Sequence, residues 1–122
     1  MAENSCGCGG DTKLVFTCSG CSDLGEIADR TGRQLSKDGI GRMSCLAGIG
    51  AGISGFIASA SGACKTLAID GCPVDCAKKC MEKASVTNFI HLRLTGLGLE
   101  KGKSPANKEN MEKASEAAKK LL

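Results

Sequence analysis

The nine cysteines constrain this chain of 122 residues more than any other feature of its sequence. A chain of this length can bury a hydrophobic core without disulfide bonds, so the cysteines call for another explanation. The opening residues, Met1 to Cys6, are polar and include an acid, which is not typical of a secretory signal and predicts a cytoplasmic protein. Because thiols stay reduced in that compartment, we expect a metal site or a redox centre.

Composition and charge argue against two classes of partner. Three Phe and no Tyr or Trp leave little to stack on bases, and a net charge of +3 gives a weak field for capturing nucleic acid. The uncharged segment from Cys45 to Cys64 is rich in Gly, Ala and Ser, which makes it a poor membrane span. We therefore expect no nucleic acid and no membrane as partner, and a buried small-residue helix in this segment.

Strand-like and helix-like patterns alternate along the chain. Runs rich in β-formers predict strands at 13–17, 42–46, 65–69 and 88–94. Helical patterns lie at 23–36, through Phe56 and Ile57, at 73–85 and from Ser104 onward. Strands separated by helices favour parallel crossovers, so we predict a small three-layer α/β domain with a roughly four-stranded, mostly parallel sheet and a C-terminal helix. We expect residues 1–11 to be a flexible Cys/Gly tail and residues 12–122 a single α/β metal-binding domain.

Four cysteines are predicted to meet at one edge of this sheet. In an open parallel sheet every strand delivers its following loop to the carboxyl edge, where ligand sites collect. Cys18, Cys45 and Cys72 each lie at or just after the end of a predicted strand, and Cys76 lies one helical turn beyond Cys72. Four thiolates suit a tetrahedral ion with metal–sulfur bonds of about 2.3 Å. The sequence predicts zinc, or alternatively an iron–sulfur cluster, at this edge.

Other residues near these positions receive accessory roles. Cys80 lies roughly 12 Å along the helix from Cys72, too far to share one ion with it. We expect Asp70 to accept backbone N–H bonds and hold the cysteine turn, and Cys21 and Cys80 to be accessory thiols. His91 is interpreted as a surface residue, and the helix N-termini are expected to lower the thiol pKa values. The sequence assigns no role to three cysteines, namely Cys6, Cys8 and Cys64.

Two alternatives remain open. Cys18 and Cys21 form a C-x-x-C motif between a strand and a helix, which is where thiol–disulfide enzymes keep a reactive thiolate. The segment from Gly50 to Gly55 satisfies G-x-G-x-x-G, with Asp70 at the spacing of a ribose-binding acid. The first alternative predicts a redox protein, and the second predicts nucleotide binding.

The segment from Ile69 to Cys76, together with Cys18 and Cys45, resembles the DGC domain family of small prokaryotic proteins, described as zinc-binding. The resemblance covers roughly residues 13–102, and its four family cysteines fall on Cys18, Cys45, Cys72 and Cys76. It implies a ligand class but no reaction. We therefore predict a protein of metal or metalloid sensing, handling or delivery, whose partner is a metal donor or acceptor protein or a redox partner.

Overall fold

Four parallel strands form the centre of the computed structural model, which describes residues 12–122. The expected tail at residues 1–11 lies outside the described residues. The strands are β1 (Lys13–Thr17), β2 (Arg42–Met43), β3 (Lys65–Asp70) and β4 (Ile90–Arg93), in the spatial order β2-β1-β3-β4. The helices are α1 (Asp23–Lys37), α2 (Leu46–Gly50), α3 (Ser54–Gly62), α4 (Cys76–Lys83) and α5 (Lys108–Leu121). The predicted α/β class with a C-terminal helix is confirmed.

Helices cover both faces of the sheet because successive side chains of each strand point to opposite sides. Val15, Leu67 and Ile69 face the layer that contains α1 and α5. Leu14 and Phe16 face the opposite layer, with α2, α3 and α4. The sheet is therefore buried on both faces, as an all-parallel sheet requires.

The connections that follow β1 and β3 run to opposite faces of the sheet, and this change between two neighbouring strands positions the site. β1 and β3 are direct neighbours, paired from Lys13 beside Lys65 to Thr17 beside Ile69. The loop after β1 leads to α1 on one face, whereas the loop after β3 leads to α4 on the other. Such a point opens a crevice at the carboxyl edge of a parallel sheet. Cys18, Cys72 and Cys76 follow these two strands and therefore flank the crevice.

Three element boundaries differ from the sequence prediction by three or more residues. α4 begins at Cys76 rather than Pro73, because Asp75 adopts a left-handed conformation, with φ 57°, that a helix cannot contain. α5 begins at Lys108 rather than Ser104, after Asn107 caps it by accepting the Asn110 N–H at 2.9 Å. β2 ends at Met43, since the chain turns into α2 three residues later.

The uncharged segment from Cys45 to Cys64 differs most from expectation. It forms two short helices rather than one, and Ala60 is the buried residue of α3, so the expected buried helix is wrong. The G-x-G-x-x-G pattern runs from the last residue of α2 to the second residue of α3, and Gly52 makes the turn between the two helices with φ 74°. A dinucleotide fingerprint needs a strand directly before it, and α2 occupies that place. Within residues 12–122 we find no helix with the length and apolar character needed to cross a bilayer.

The start of α1 packs tightly against both loops of the crevice. A Cβ atom at Gly25 would lie 2.5 Å from the Gly20 carbonyl oxygen, and one at Gly71 would lie 2.8 Å from Leu24 Cβ. Real side chains do not approach this closely, so glycine at these positions allows the loops and the helix to touch. The glycine of the Asp70-Gly71-Cys72 sequence is therefore required by packing.

We predict that Gly25→Ala lowers the free energy of unfolding by about 1–3 kcal/mol, because a backbone atom must move to admit the methyl group. Gly55→Ala is the matched control, since a Cβ there meets nothing within 4 Å and alanine favours the helix by up to about 1 kcal/mol. Urea denaturation followed by circular dichroism measures both. A Gly25→Ala variant as stable as the wild type would contradict the close contact between Gly25 and Gly20.

A carboxylate at the start of α1 predicts a pH dependence of stability. Asp23 accepts backbone N–H bonds from Gly102 at 2.9 Å, Ser104 at 3.1 Å and Leu24 at 2.8 Å, and these bonds lower its pKa. A lowered folded-state pKa contributes stability above the ordinary value of 3.8, and that stability is lost as the pH falls through the folded-state pKa. We expect Asp23→Asn to be less stable than the wild type at neutral pH, with the difference shrinking in acid. Equal stabilities at neutral pH would contradict this expectation.

Candidate functional site

Asp70 links three elements at the carboxyl edge of the sheet. It is the last residue of β3 and is 1% exposed. Its two carboxylate oxygens accept the backbone N–H groups of Ala77 at 2.7 Å and Lys78 at 3.0 Å, in the first turn of α4. A carboxylate is favoured there because the N-terminal turn of a helix presents free N–H groups and a positive dipole end. Asp70 thus holds α4 through the helix backbone.

Two residues of β4 complete a hydrogen-bonded network around Asp70. His91 Nε2 donates to Asp70 Oδ2 at 2.8 Å and lies 3.6 Å from Asp75 Oδ1. Arg93 donates to both carboxylate oxygens of Asp75, from Nε at 2.8 Å and from Nη2. The Arg93 guanidinium lowers the pKa of the Asp75 carboxyl. His91 and Arg93 therefore reach from β4 to the turn that carries Cys72 and to the start of α4.

The same network contains one geometric candidate for a metal site. In residues 12–122, Asp70, Asp75 and His91 form the one group of three or more potential ligands whose ligand atoms all lie within 4.8 Å of one another. Such a group could hold a metal ion. However, Asp70 already accepts three hydrogen bonds and Asp75 is paired with Arg93, so an ion would have to replace these partners.

Three of the four predicted cysteine ligands surround this network. Cys18 follows β1, and its backbone N–H donates to the Ile69 carbonyl at 2.8 Å, beside Asp70, while Cys76 begins α4 directly after Asp75. Cys72 Sγ lies 3.8 Å from Lys101 Nζ. The crevice therefore holds thiols of both strand loops, with one cation beside Cys72.

Burial raises the pKa of the Cys18 thiol, although backbone N–H groups of Gly20 and Gly71 act in the opposite direction. The expected lowering by a helix N-terminus is therefore wrong for Cys18. A reactive thiolate of the C-x-x-C type needs a lowered pKa, so this direction does not favour the redox alternative. Cys21, its partner in the motif, is exposed in the same loop.

The fourth predicted ligand lies beside a cavity next to the crevice. Cys45 is exposed at the start of α2. It lines a cavity of about 830 Å³ together with Cys80, Thr17 and Ser19, whose hydroxyl donates to Asp29 at 2.7 Å. Cys80 lies next to α2, since a Cβ at Gly50 would be 3.6 Å from its sulfur. Cys45 and Cys80 therefore line one cavity, next to the crevice that Cys18, Cys72 and Cys76 flank.

Sequence reasoning missed the role of His91. The alternation of β4 suggested a solvated face, but the His91 side chain is only 19% exposed. The sequence carries no signal for this role, because the position of His91 follows from the parallel register of β3 and β4, in which Asp70 pairs with Arg93 and Ala68 with His91. Residues paired in this way point to the same face, which is the face that α4 covers.

Taken together, the structure defines a parallel α/β domain that carries cysteines at a topological switch point. The chain belongs to the DGC domain family, whose model matches residues 14–118 and so extends into α5. One relative is the anaerobic and virulence modulator AnvM of Pseudomonas aeruginosa, which is 36% identical over 88 residues, covering 72% of this chain and 67% of the relative. The comparison with solved structures gives no match.

We predict that Asp70→Asn lowers the free energy of unfolding by about 2–3 kcal/mol, because hydrogen bonds to a buried charged group are lost and the new amide N–H₂ meets backbone donors. Asp38→Asn is the control, since Asp38 is exposed and accepts one side-chain bond, from Gln34. Chemical denaturation of the metal-free proteins measures the difference. A loss no larger than that of the control would show that this carboxylate does not hold α4.

Proposed function

We propose that this protein binds one zinc ion through Cys18, Cys45, Cys72 and Cys76 and serves in metal or metalloid sensing, handling or delivery. The observation that carries the proposal is the position of Cys18, Cys72 and Cys76 in the loops after β1 and β3, on either side of the Asp70 network. Thiolates are preferred zinc ligands, and the Lys101 ammonium beside Cys72 offsets part of their negative charge.

The distances between the thiols indicate that the cysteine loops must move when zinc binds. Sulfur atoms around one tetrahedral zinc ion lie roughly 3.8 Å apart, given bonds of about 2.3 Å. Among residues 12–122 no three thiols lie within 4.8 Å of one another. Zinc binding would therefore draw the cysteine loops towards each other, and the ordering of these loops would couple the ion to the stability of the domain.

The exposure of one proposed ligand favours a role in handling or delivery over a purely structural ion. Cys45 is exposed, and the neighbouring cavity offers room for an incoming group beside Cys80. A ligand that a second thiol can replace lets an ion pass to another protein, whereas a closed tetrathiolate holds it. The proposed partners are a metal donor or acceptor protein or a redox partner, in the cytoplasm.

The name of the relative fits a thiolate site. AnvM is named as an anaerobic and virulence modulator. Thiolates that bind metal are oxidised readily once exposed, so a cysteine site of this kind is stable without oxygen and changes in its presence. We propose a modulating role that depends on oxygen for this chain.

Elemental analysis and an absorption spectrum of protein purified without oxygen test the proposal. We expect about one zinc per chain and no visible colour, with Cys→Ser at positions 18, 45, 72 or 76 each lowering zinc content. Removing the ion with a chelator is expected to lower the thermal midpoint, because ion binding stabilises the folded state by mass action.

Cys21→Ser is the matched control, since Cys21 is exposed in the same loop as Cys18 and is not a proposed ligand. It should retain full zinc content. Bound iron together with visible absorption would show that the site holds an iron–sulfur cluster and not zinc. Protein without metal whose Cys18 and Cys21 cycle between dithiol and disulfide would overturn the proposal in favour of the redox alternative.

A further inference from the structure

The turn between β3 and α4 carries two of the proposed zinc ligands. Its backbone closes with a bond from the Asp75 N–H to the Cys72 carbonyl at 3.1 Å. Cys72 lies two residues after Asp70, and Cys76 directly follows Asp75. The separation of the two sulfur atoms therefore depends on how Asp70 and Asp75 are held.

β4 holds both carboxylates. His91 donates to Asp70 Oδ2, the same oxygen that accepts the Lys78 N–H of α4. Arg93 donates two bonds to Asp75, which has the left-handed backbone conformation that directs the chain into α4. A paired arginine of this kind fixes direction as well as distance, because its two N–H groups are parallel and rigid.

We infer that His91 and Arg93 are positioning residues for the metal site: they set the geometry of the turn from Cys72 to Cys76 through Asp70 and Asp75, without binding the ion. This inference rests on the proposed function. Groups that orient the ligands of a metal ion commonly change its affinity by about 10–100-fold when they are removed. The network of Asp70, Asp75 and His91 then orients the loop that carries the thiols and does not itself bind an ion.

The test compares His91→Ala, His91→Gln, Arg93→Ala and Arg93→Lys with the wild type. Zinc affinity is measured by competition with a coloured chelator, and cobalt absorption reports the thiolate geometry. We expect His91→Ala and Arg93→Ala each to weaken zinc binding by about 10–100-fold and to shift the cobalt bands. Glutamine at position 91 keeps a donor N–H₂ and should recover most of the affinity, whereas lysine at position 93 lacks the paired donors and should recover little.

Arg30→Ala is the matched control. Arg30 also pairs with an acid, Glu26, at 3.4 Å and donates to the Ala106 carbonyl. It lies on α1, and its hydrogen bonds and ion pairs within residues 12–122 involve neither Asp70 nor Asp75. It should leave zinc affinity and cobalt bands unchanged. An equal loss of affinity in Arg30→Ala would overturn the inference, because the effect would then follow overall stability.

Amide hydrogen exchange of the metal-free proteins gives a readout that is independent of zinc. The Ala77 and Lys78 N–H groups should exchange faster in His91→Ala than in the wild type, relative to amides in the middle of α1. Unchanged exchange together with unchanged zinc affinity in both alanine variants would overturn the inference. Wild-type protein that binds neither zinc nor cobalt would overturn the proposed function instead, and positioning by His91 would then be decided by amide exchange alone.

Discussion

The carboxylate of Asp70 is the interaction on which the carboxyl edge of this sheet depends. It ends β3, accepts two backbone N–H groups of α4 and accepts a third bond from His91 on β4. A buried carboxylate is costly unless it is fully hydrogen-bonded, and this one gains its partners only when all three elements are in place. The same requirement fixes the turn that carries Cys72 and Cys76, so stability and the candidate site share one group.

Parallel topology and close packing explain why the thiols collect where they do. All four strands run in one direction, so the loops of β1 and β3 emerge at one edge, and the order β2-β1-β3-β4 sends them to opposite faces. Gly25 and Gly71 allow α1 to approach these loops. The site is therefore a crevice with one wall from each loop, which leaves Cys45 and its cavity on one side of it.

Much of this arrangement could be predicted from local patterns. β1 has the predicted bounds, and α1 begins at the predicted Asp23 and ends at Lys37, one residue beyond the prediction. Ser22 Oγ caps α1 by accepting the Gly25 N–H at 3.1 Å. Placing Cys18, Cys72 and Cys76 at one edge required only the rule that parallel strands end together. The start of α4 could not be predicted, because Pro73 suits a first helical turn and only the contact of Asp75 with Arg93, 18 residues later, favours the left-handed break.

The sequence alone determined the fold class, the cysteine edge and the acid that precedes the cysteine turn, because strand and helix periodicity and the spacing of Cys and Asp are local properties. Tertiary structure decided which groups meet. His91 and Arg93 lie opposite Ala68 and Asp70 only because β4 pairs with β3 in one particular register. A shift of one residue would turn both side chains to the other face, and nothing within β4 itself specifies that pairing.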